Sequence, residues 1–177
     1  MPRLFTGLEI PSDLALDLAS LRGGISGARW IDSDNYHMTL RFIGDIDDAT
    51  ARDVFATLEQ IKRPPFTVTI EGLSSFGGDR PRAIIAKAKP AVPLVELQAE
   101  QERLMRRIGI PPEPRKFTPH VTLARLRAAS AGAVAAYLAA RGFFFSRRFE
   151  ATRFVLFSSR ASTGGAPYVI EAAYPLG

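Results

Sequence analysis

His37-Met38-Thr39-Leu40 and His120-Val121-Thr122-Leu123 are two copies of one four-residue pattern, and they contain both histidines of the chain. At background usage, Thr and Leu follow a given His at these two positions well under about one time in a hundred. Chance is therefore a poor explanation for the repeat. We interpret the two histidines as equivalent positions in two related halves of the chain.

The segments around the first copy predict the order β-α-β-α-β. Strands are expected over residues 4–10, 36–43 and 66–70. Apolar residues at helical spacing predict a helix capped by Ser12 and stopped before Gly23-Gly24, and a second helix capped by Asp47/Asp48.

The same order begins again near Arg82. The predicted elements are a strand over 83–86, a helix over 94–108, a strand over 118–126, a helix over 131–141, a long strand within 143–157 and, after a Gly164-Gly165 turn, a last strand over 168–173. Helices mixed with hairpin-like joints favour an α+β fold with largely antiparallel sheets. We predict one domain over 1–177, internally duplicated as approximately 1–80 and 81–177.

Composition limits the class of protein. The chain has 177 residues, which suits one folding unit, and its net charge of +5 favours a polyanionic partner. The absence of Cys excludes disulfides, thiolate nucleophiles and Cys-ligated metals. No apolar window approaches a membrane span and the N-terminal apolar run is too short for a signal peptide, so we expect a cytoplasmic protein.

Side chains alternate along a strand, so each His shares a face with the Thr two residues on. If the halves are related by a pseudo-twofold, His37, Thr39, His120 and Thr122 face one cleft. One neutral imidazole can then accept a proton from water while the other, protonated, donates one to a leaving oxygen. This arrangement suits phosphodiester cleavage, with the hydroxyls on phosphate oxygens. The alternative, two half-buried structural histidines, is disfavoured by the matched pair.

Other motifs predict no cofactor. Asp32-x-Asp34 and Asp45-x-Asp47 lack the Gly and distal Glu of a calcium loop. The glycine-rich segment 72–78 lacks the Lys of a phosphate-binding loop. No carboxylates cluster in the sequence to complete a metal site with the histidines, so no metal site is predicted.

Extended motifs around both histidines resemble the two-histidine (2H) phosphoesterases, specifically the RNA 2′,3′-cyclic phosphodiesterases, also called 2′-5′ RNA ligases. They are Arg3-Leu4-Phe5, Arg29-Trp30, the segment 35–44 and the segment 117–125. The resemblance covers nearly the whole chain and implies two lobes related by a pseudo-twofold, a central cleft holding the histidines, and no metal or nucleotide cofactor. Tyr36 and Ile43 depart mildly from the family pattern, each standing where Leu is common.

The resemblance also implies roles for individual residues. His37 is expected as general acid and His120 as general base, although the reverse assignment fits the sequence equally well. Thr39, Thr122 and Arg125 are expected on the phosphate, and Phe42 is expected to stack on a nucleobase. Strict alternation places Phe42 and Arg125 on the face opposite the histidines, so a bulge or strong twist is required for these last two roles.

We therefore expect an enzyme that opens a 2′,3′-cyclic phosphate at an RNA end and leaves a 2′-phosphate. The expected partner is an RNA bearing such an end, for example a tRNA fragment, and the expected state is a monomer. Three alternatives stay open: ligation through a 2′-5′ linkage, an RNA-binding module without catalysis, and a phosphodiesterase for small cyclic nucleotides.

Overall fold

The computed structural model describes residues 3–141, 146–159 and 168–177. Its elements in chain order are β1 (Arg3–Glu9), α1 (Ser12–Ala19), β2 (Ala28–Trp30), a short 3-10 helix (Ser33–Asn35), β3 (His37–Asp45), α2 (Asp48–Leu58), β4 (Phe66–Phe76), β5 (Ala83–Ala88), α3 (Val92–Arg107), β6 (His120–Leu126), α4 (Ala131–Arg141), β7 (Arg147–Ala151), β8 (Arg153–Ser159) and β9 (Val169–Pro175). The predicted order is present twice, as β1-α1-β3-α2-β4 and as β5-α3-β6-α4-β7. Within these ranges no helix is long and apolar enough to cross a membrane.

The described strands form one sheet, and its pairings are antiparallel. The order is β7-β4-β5-β6-β3-β1-β8-β9, with β2 added on β6. At the centre, β3 pairs with β6 through Met38 and Val121, the residues that follow the two histidines. The flanking strands correspond in order, β1 to β5, β8 to β4 and β9 to β7. A pseudo-twofold axis therefore passes through the Met38–Val121 pair, and the predicted α+β fold with two related lobes is confirmed.

The two halves of the sheet do not coincide with the two halves of the chain. The His37 half consists of β3, β1, β8 and β9, and the His120 half consists of β6, β5, β4 and β7, with β2 on its β6 edge. Thus β4 precedes residue 81 and yet belongs to the His120 half, while β8 and β9 return to the His37 half. The duplication over 1–80 and 81–177 stays a prediction.

The main hydrophobic core lies between the helices and one face of the sheet. Each helix contributes buried apolar residues, and strand residues such as Met38 and Leu123 meet them from the sheet; the helix residues are Leu14, Leu18, Val54, Leu58, Leu94, Leu97, Val134 and Tyr137. Burying a side chain of this size contributes roughly 1.5–3 kcal/mol. The helices therefore fix the histidine strands from behind and leave the opposite face for the site.

Two local predictions are wrong and one is confirmed. The single long strand within 143–157 is two strands, β7 and β8, separated at Thr152 and paired with different halves of the sheet. The sequence there contains neither Gly nor Pro to indicate the break, and residues 143–145 and 164–165 lie outside the described residues. Ser12 is the first residue of α1 and makes no capping hydrogen bond. Asp47 does cap α2, accepting a hydrogen bond of 2.7 Å from the Thr50 amide.

Candidate active site

A β-bulge interrupts the pairing of β3 with β1 just after the first His-x-Thr. Gly7 pairs with Thr39 and Thr6 pairs with Arg41, which leaves Leu40 as an extra residue on β3. A residue added on one strand reverses the alternation of side chains beyond it. Phe42 consequently lies on the same face as Thr39.

The His120 half repeats this irregularity at the equivalent position. Ile85 pairs with Thr122 and Ile84 pairs with Ala124, so Leu123 is the extra residue on β6. Arg125 thereby joins the face of Thr122. In each strand the bulge falls three residues after the histidine.

The bulges place Phe42 and Arg125 on the face that already carries the other four residues that the sequence singled out. His37, Thr39, His120 and Thr122 are half-buried, while Phe42 is 42% exposed and Arg125 is exposed. All six lie on the face of the sheet opposite the helices. The bulge that the roles of Phe42 and Arg125 required is present in both strands.

The two imidazoles are oriented in the same way. The Nδ1 atom of His37 lies 2.9 Å from the Asn35 carbonyl oxygen, and that of His120 lies 2.6 Å from the Thr118 carbonyl oxygen. A carbonyl oxygen only accepts, so each Nδ1 is the donor and the neutral ring keeps its lone pair on Nε2. The Nε2 atom of His37 is 2.9 Å from the Thr39 hydroxyl. The Nε2 atom of each neutral ring is therefore the one that can accept a proton.

Burial lowers the pKa of both histidines below the ordinary value, because the charged ring loses its hydration. The hydrogen bond from each Nδ1 to its carbonyl partly opposes this shift. The positive charge of Arg125 lowers the pKa of both rings further, and that of His120 lowers the pKa of His37. Both imidazoles are thus within electrostatic reach of Arg125 and favour the neutral form in the free protein.

Aromatic rings surround the histidines, and the sequence analysis did not assign them to the site. The ring of His37 lies 5.0 Å from Phe5, 5.6 Å from Phe157 and 5.2 Å from Tyr168. The ring of His120 lies 4.8 Å from Phe76. Only Phe5 had any sequence indication, as part of the N-terminal strand that resembles the family.

A cavity of about 390 Å³ adjoins His37. Its lining combines aromatic and polar side chains, among them Tyr168, Phe157, Asn35 and Glu9. This volume is within the range of small-molecule sites. Among the described residues, no three His, Asp or Glu side chains cluster as metal ligands.

The bulge of the His37 half is stabilised by a buried arginine. The Arg41 side chain is 3% exposed and forms an ion pair with Glu102 of α3. Its guanidinium also donates to the Phe42 carbonyl and, at 2.6 Å, to the Pro111 carbonyl. A buried guanidinium requires such a full set of acceptors. Helix α3 and the loop after it therefore hold the backbone that presents Phe42.

Comparisons with known proteins identify the family of this chain. The family model described as LigT like Phosphoesterase matches residues 8–86 and again 85–168. A protein of Aeropyrum pernix named RNA 2′,3′-cyclic phosphodiesterase is 35% identical over 118 residues, which are 63% of this chain and 67% of that protein. A protein of Escherichia coli K12 with the same name is 26% identical over 170 residues, covering 94% and 92% of the two chains.

Solved structures show the same fold. A Thermus thermophilus protein superposes with a TM-score of 0.83 at 23% identity, covering 98% of this chain and 97% of its own. The E. coli LigT structure complexed with 3′-AMP has a TM-score of 0.79 at 25% identity, with 99% of each chain covered. With the family model matching most of its length, this chain belongs to the LigT-like phosphoesterase family.

Proposed function

We propose that this protein hydrolyses the 2′,3′-cyclic phosphate at the end of an RNA and leaves a 2′-phosphate and a 3′-hydroxyl. The observation that carries the proposal is the matched pair of imidazoles, each with Nδ1 directed at a backbone carbonyl and Nε2 available for proton transfer. The names of the A. pernix and E. coli relatives support the same reaction.

In the proposed reaction, neutral His120 accepts a proton at Nε2 from the attacking water as its oxygen bonds to phosphorus. Protonated His37 donates its Nε2 proton to the 3′-oxygen as the bond from phosphorus to that oxygen breaks. Thr39 and Thr122 are proposed to contact non-bridging oxygens, and Arg125 to offset their charge. No metal or cofactor is required, because the two imidazoles supply both proton transfers.

The charges around the two histidines are compatible with separate acid and base roles. Both histidines favour the neutral form in the free protein, and His37 must be protonated to act as acid. The negative charge of a bound phosphate opposes the effect of Arg125 and raises the pKa of a nearby imidazole. We therefore propose that substrate binding promotes the imidazolium. His120 is the more accessible ring, which suits the residue that meets water.

The proposed substrate is an RNA with a cyclic phosphate end, for instance a tRNA fragment. The proposed active species is a monomer, since one chain supplies both histidines. Its proposed location is the cytoplasm. Ligation through a 2′-5′ linkage is the reverse direction at the same site. In the assay below, a binding module without catalysis would bind the oligonucleotide without turning it over. An enzyme for small cyclic nucleotides would leave the cyclic end of the oligonucleotide intact.

The test uses ribo-oligonucleotides ending in a 2′,3′-cyclic phosphate, in excess EDTA, with wild type, His37→Ala and His120→Ala. We expect a 2′-phosphate product from wild type and a loss of roughly 10² to 10⁴ fold in turnover for each variant. An aryl phosphodiester, whose leaving oxygen needs no proton, should rescue His37→Ala and leave His120→Ala slow.

Each other result has a defined meaning. Rescue of His120→Ala alone would reverse the acid and base assignment, and equal failure of both variants would refute separate roles. Activity abolished by EDTA and restored by a divalent metal would overturn the mechanism. Tight binding of the oligonucleotide without turnover would favour the binding module.

A further inference from the structure

A row of paired residues crosses the His120 half on the histidine face. Phe76 of β4 pairs with Ala83 of β5, Ala83 pairs with Arg125 of β6, and Arg125 pairs with Arg29 of β2. The row therefore ends in two arginines on adjacent strands. Only Arg125 has a role in the reaction proposed above.

Two arginines directly opposite on antiparallel strands have Cβ atoms about 4.5–5.5 Å apart, and such like charges are destabilising. Both Arg29 and Arg125 are exposed. In the ranges that the structure describes, neither guanidinium forms an ion pair with a carboxylate. The pair thus presents two adjacent positive charges that the protein itself does not neutralise, an arrangement suited to anion binding.

The backbone fixes the position of Arg29. Its neighbours Ala28 and Trp30 pack against the main core, and the Trp30 ring lies 5.7 Å from that of Tyr137. The next amide, that of Ile31, donates to the Leu123 carbonyl at 2.8 Å. With both neighbours directed into the core, alternation directs the Arg29 side chain to the histidine face.

The two arginines differ in their relation to the histidines. The charge of Arg125 affects the pKa of both rings, whereas Arg29 is not among the charges that shift either of them. Of the two, Arg125 is therefore the arginine within electrostatic reach of both histidines. Arg29 is placed for an anionic group one step further along a bound chain.

We propose that Arg29 binds the internucleotide phosphate next to the cyclic phosphate, so that Arg29 and Arg125 hold two successive phosphates of the RNA. This inference rests on the proposed function. It gives the site a preference for an oligonucleotide end over a mononucleotide, because a nucleoside cyclic phosphate has no second phosphate for Arg29. The RNA then leaves the cleft where β2 joins the end of β6.

The test compares a dinucleotide ending in a 2′,3′-cyclic phosphate with a nucleoside 2′,3′-cyclic phosphate. For Arg29→Gln we expect kcat/KM on the dinucleotide to fall about tenfold, mainly through KM, as for loss of a charge-assisted hydrogen bond. The mononucleotide should change less than about twofold. The salt dependence of kcat/KM for the dinucleotide should weaken, because one charged contact is lost. The matched control is Arg52→Gln, an exposed arginine on α2, which should change neither substrate.

A second measurement does not depend on turnover. The affinity of a labelled ribo-oligonucleotide with a terminal phosphate should fall for Arg29→Gln and not for Arg52→Gln. If wild type opens neither cyclic phosphate but this difference in affinity is found, the proposed reaction fails and the Arg29 site stands. Equal losses on both substrates, or no loss relative to the control in either measurement, would overturn the proposal.

Folding defects are separable from lost contacts. Because Arg29→Gln removes a like-charge pair, its Tm should equal or exceed that of wild type. Arg29→Lys retains the charge without the planar, bidentate fork, and should give an intermediate loss on the dinucleotide alone. A Lys variant as impaired on the mononucleotide as on the dinucleotide would also contradict the proposal.

Discussion

The two halves of the sheet carry the same histidine, threonine and bulge but present different rows of side chains. In the His37 half the row is aromatic, with Phe157 paired to Phe5 and Phe5 paired to Phe42. In the His120 half the equivalent row runs from Phe76 through Ala83 to Arg125 and is extended by Arg29. The shared part is the geometry that the proposed proton transfers would use. The part that differs provides an apolar surface on one side and positive charge on the other.

The bulges themselves are stabilised differently. In the His37 half Arg41 is buried at the bulge and bonds Glu102 and the Phe42 carbonyl. At the equivalent position of the His120 half stands Ala124, which is buried and pairs with Trp30 of β2. One half uses a polar network with α3, and the other uses a small residue beside an added strand. Strand β2 therefore both supports that bulge and supplies Arg29.

The largest effect expected from this comparison is that of Arg125→Gln. Loss of its charge should lower kcat/KM on any cyclic phosphate by about 10² fold, as for removal of one donor to a developing oxyanion. Because Arg125 lowers the pKa of both histidines, its removal lets both values rise toward the ordinary one. The bell-shaped pH profile of kcat/KM should consequently move to higher pH. A profile unchanged in position would contradict the electrostatic coupling, and Arg52→Gln serves as the control.

Substitution of Phe42, which is equivalent to Arg125 in the other half, should have a smaller effect and one of a different kind. Phe42 is exposed on the histidine face and should act by stacking on a base, which is worth about 1–3 kcal/mol per base. Phe42→Leu should raise KM by about tenfold, more for purine than for pyrimidine ends, and leave the pH profile in place. Phe42→Tyr should retain most of the affinity. A loss independent of the base, or a shifted pH profile, would show that the halves do not divide the substrate in this way.

Much of this comparison could be predicted from the sequence, because the His-x-Thr repeat and the alternation of apolar residues are local patterns. The alternation alone could not locate the bulges, which were expected only because the resemblance assigns roles to Phe42 and Arg125; the extra residue on β3 or β6 is defined by its pairing with β1 or β5. The aromatic neighbours of His37 were missed for a related reason, as Phe157 and Tyr168 are distant in the chain and reach the site only because β8 returns to β1. The three-residue strand β2 is too short to give a periodic pattern, so Arg29 was known only from a resemblance.

The smallest expected effect is on stability. It should differ between His37 and His120 because they differ in burial. Both histidines have a pKa below the unfolded value of 6.5, so the unfolded chain binds protons more readily than the folded one. The wild type therefore loses stability from each ring as pH falls through 6.5, and the loss is complete below the folded pKa. Glutamine does not titrate. The free energy of unfolding of His37→Gln or His120→Gln, taken relative to that of the wild type, should thus be larger at pH 5 than at pH 8.

The gain should be larger for His37→Gln. His37 is enclosed by the rings of Phe5, Phe157 and Tyr168, and the charge of His120 adds to the cost of protonating it, whereas His120 is more open to solvent. Urea unfolding of the three proteins at pH 8 and pH 5 measures the difference, and hydrogen bonds lost with either ring cancel because each variant is compared with itself. An equal gain for the two variants would mean that the aromatic and basic surroundings do not distinguish the histidines before substrate binds.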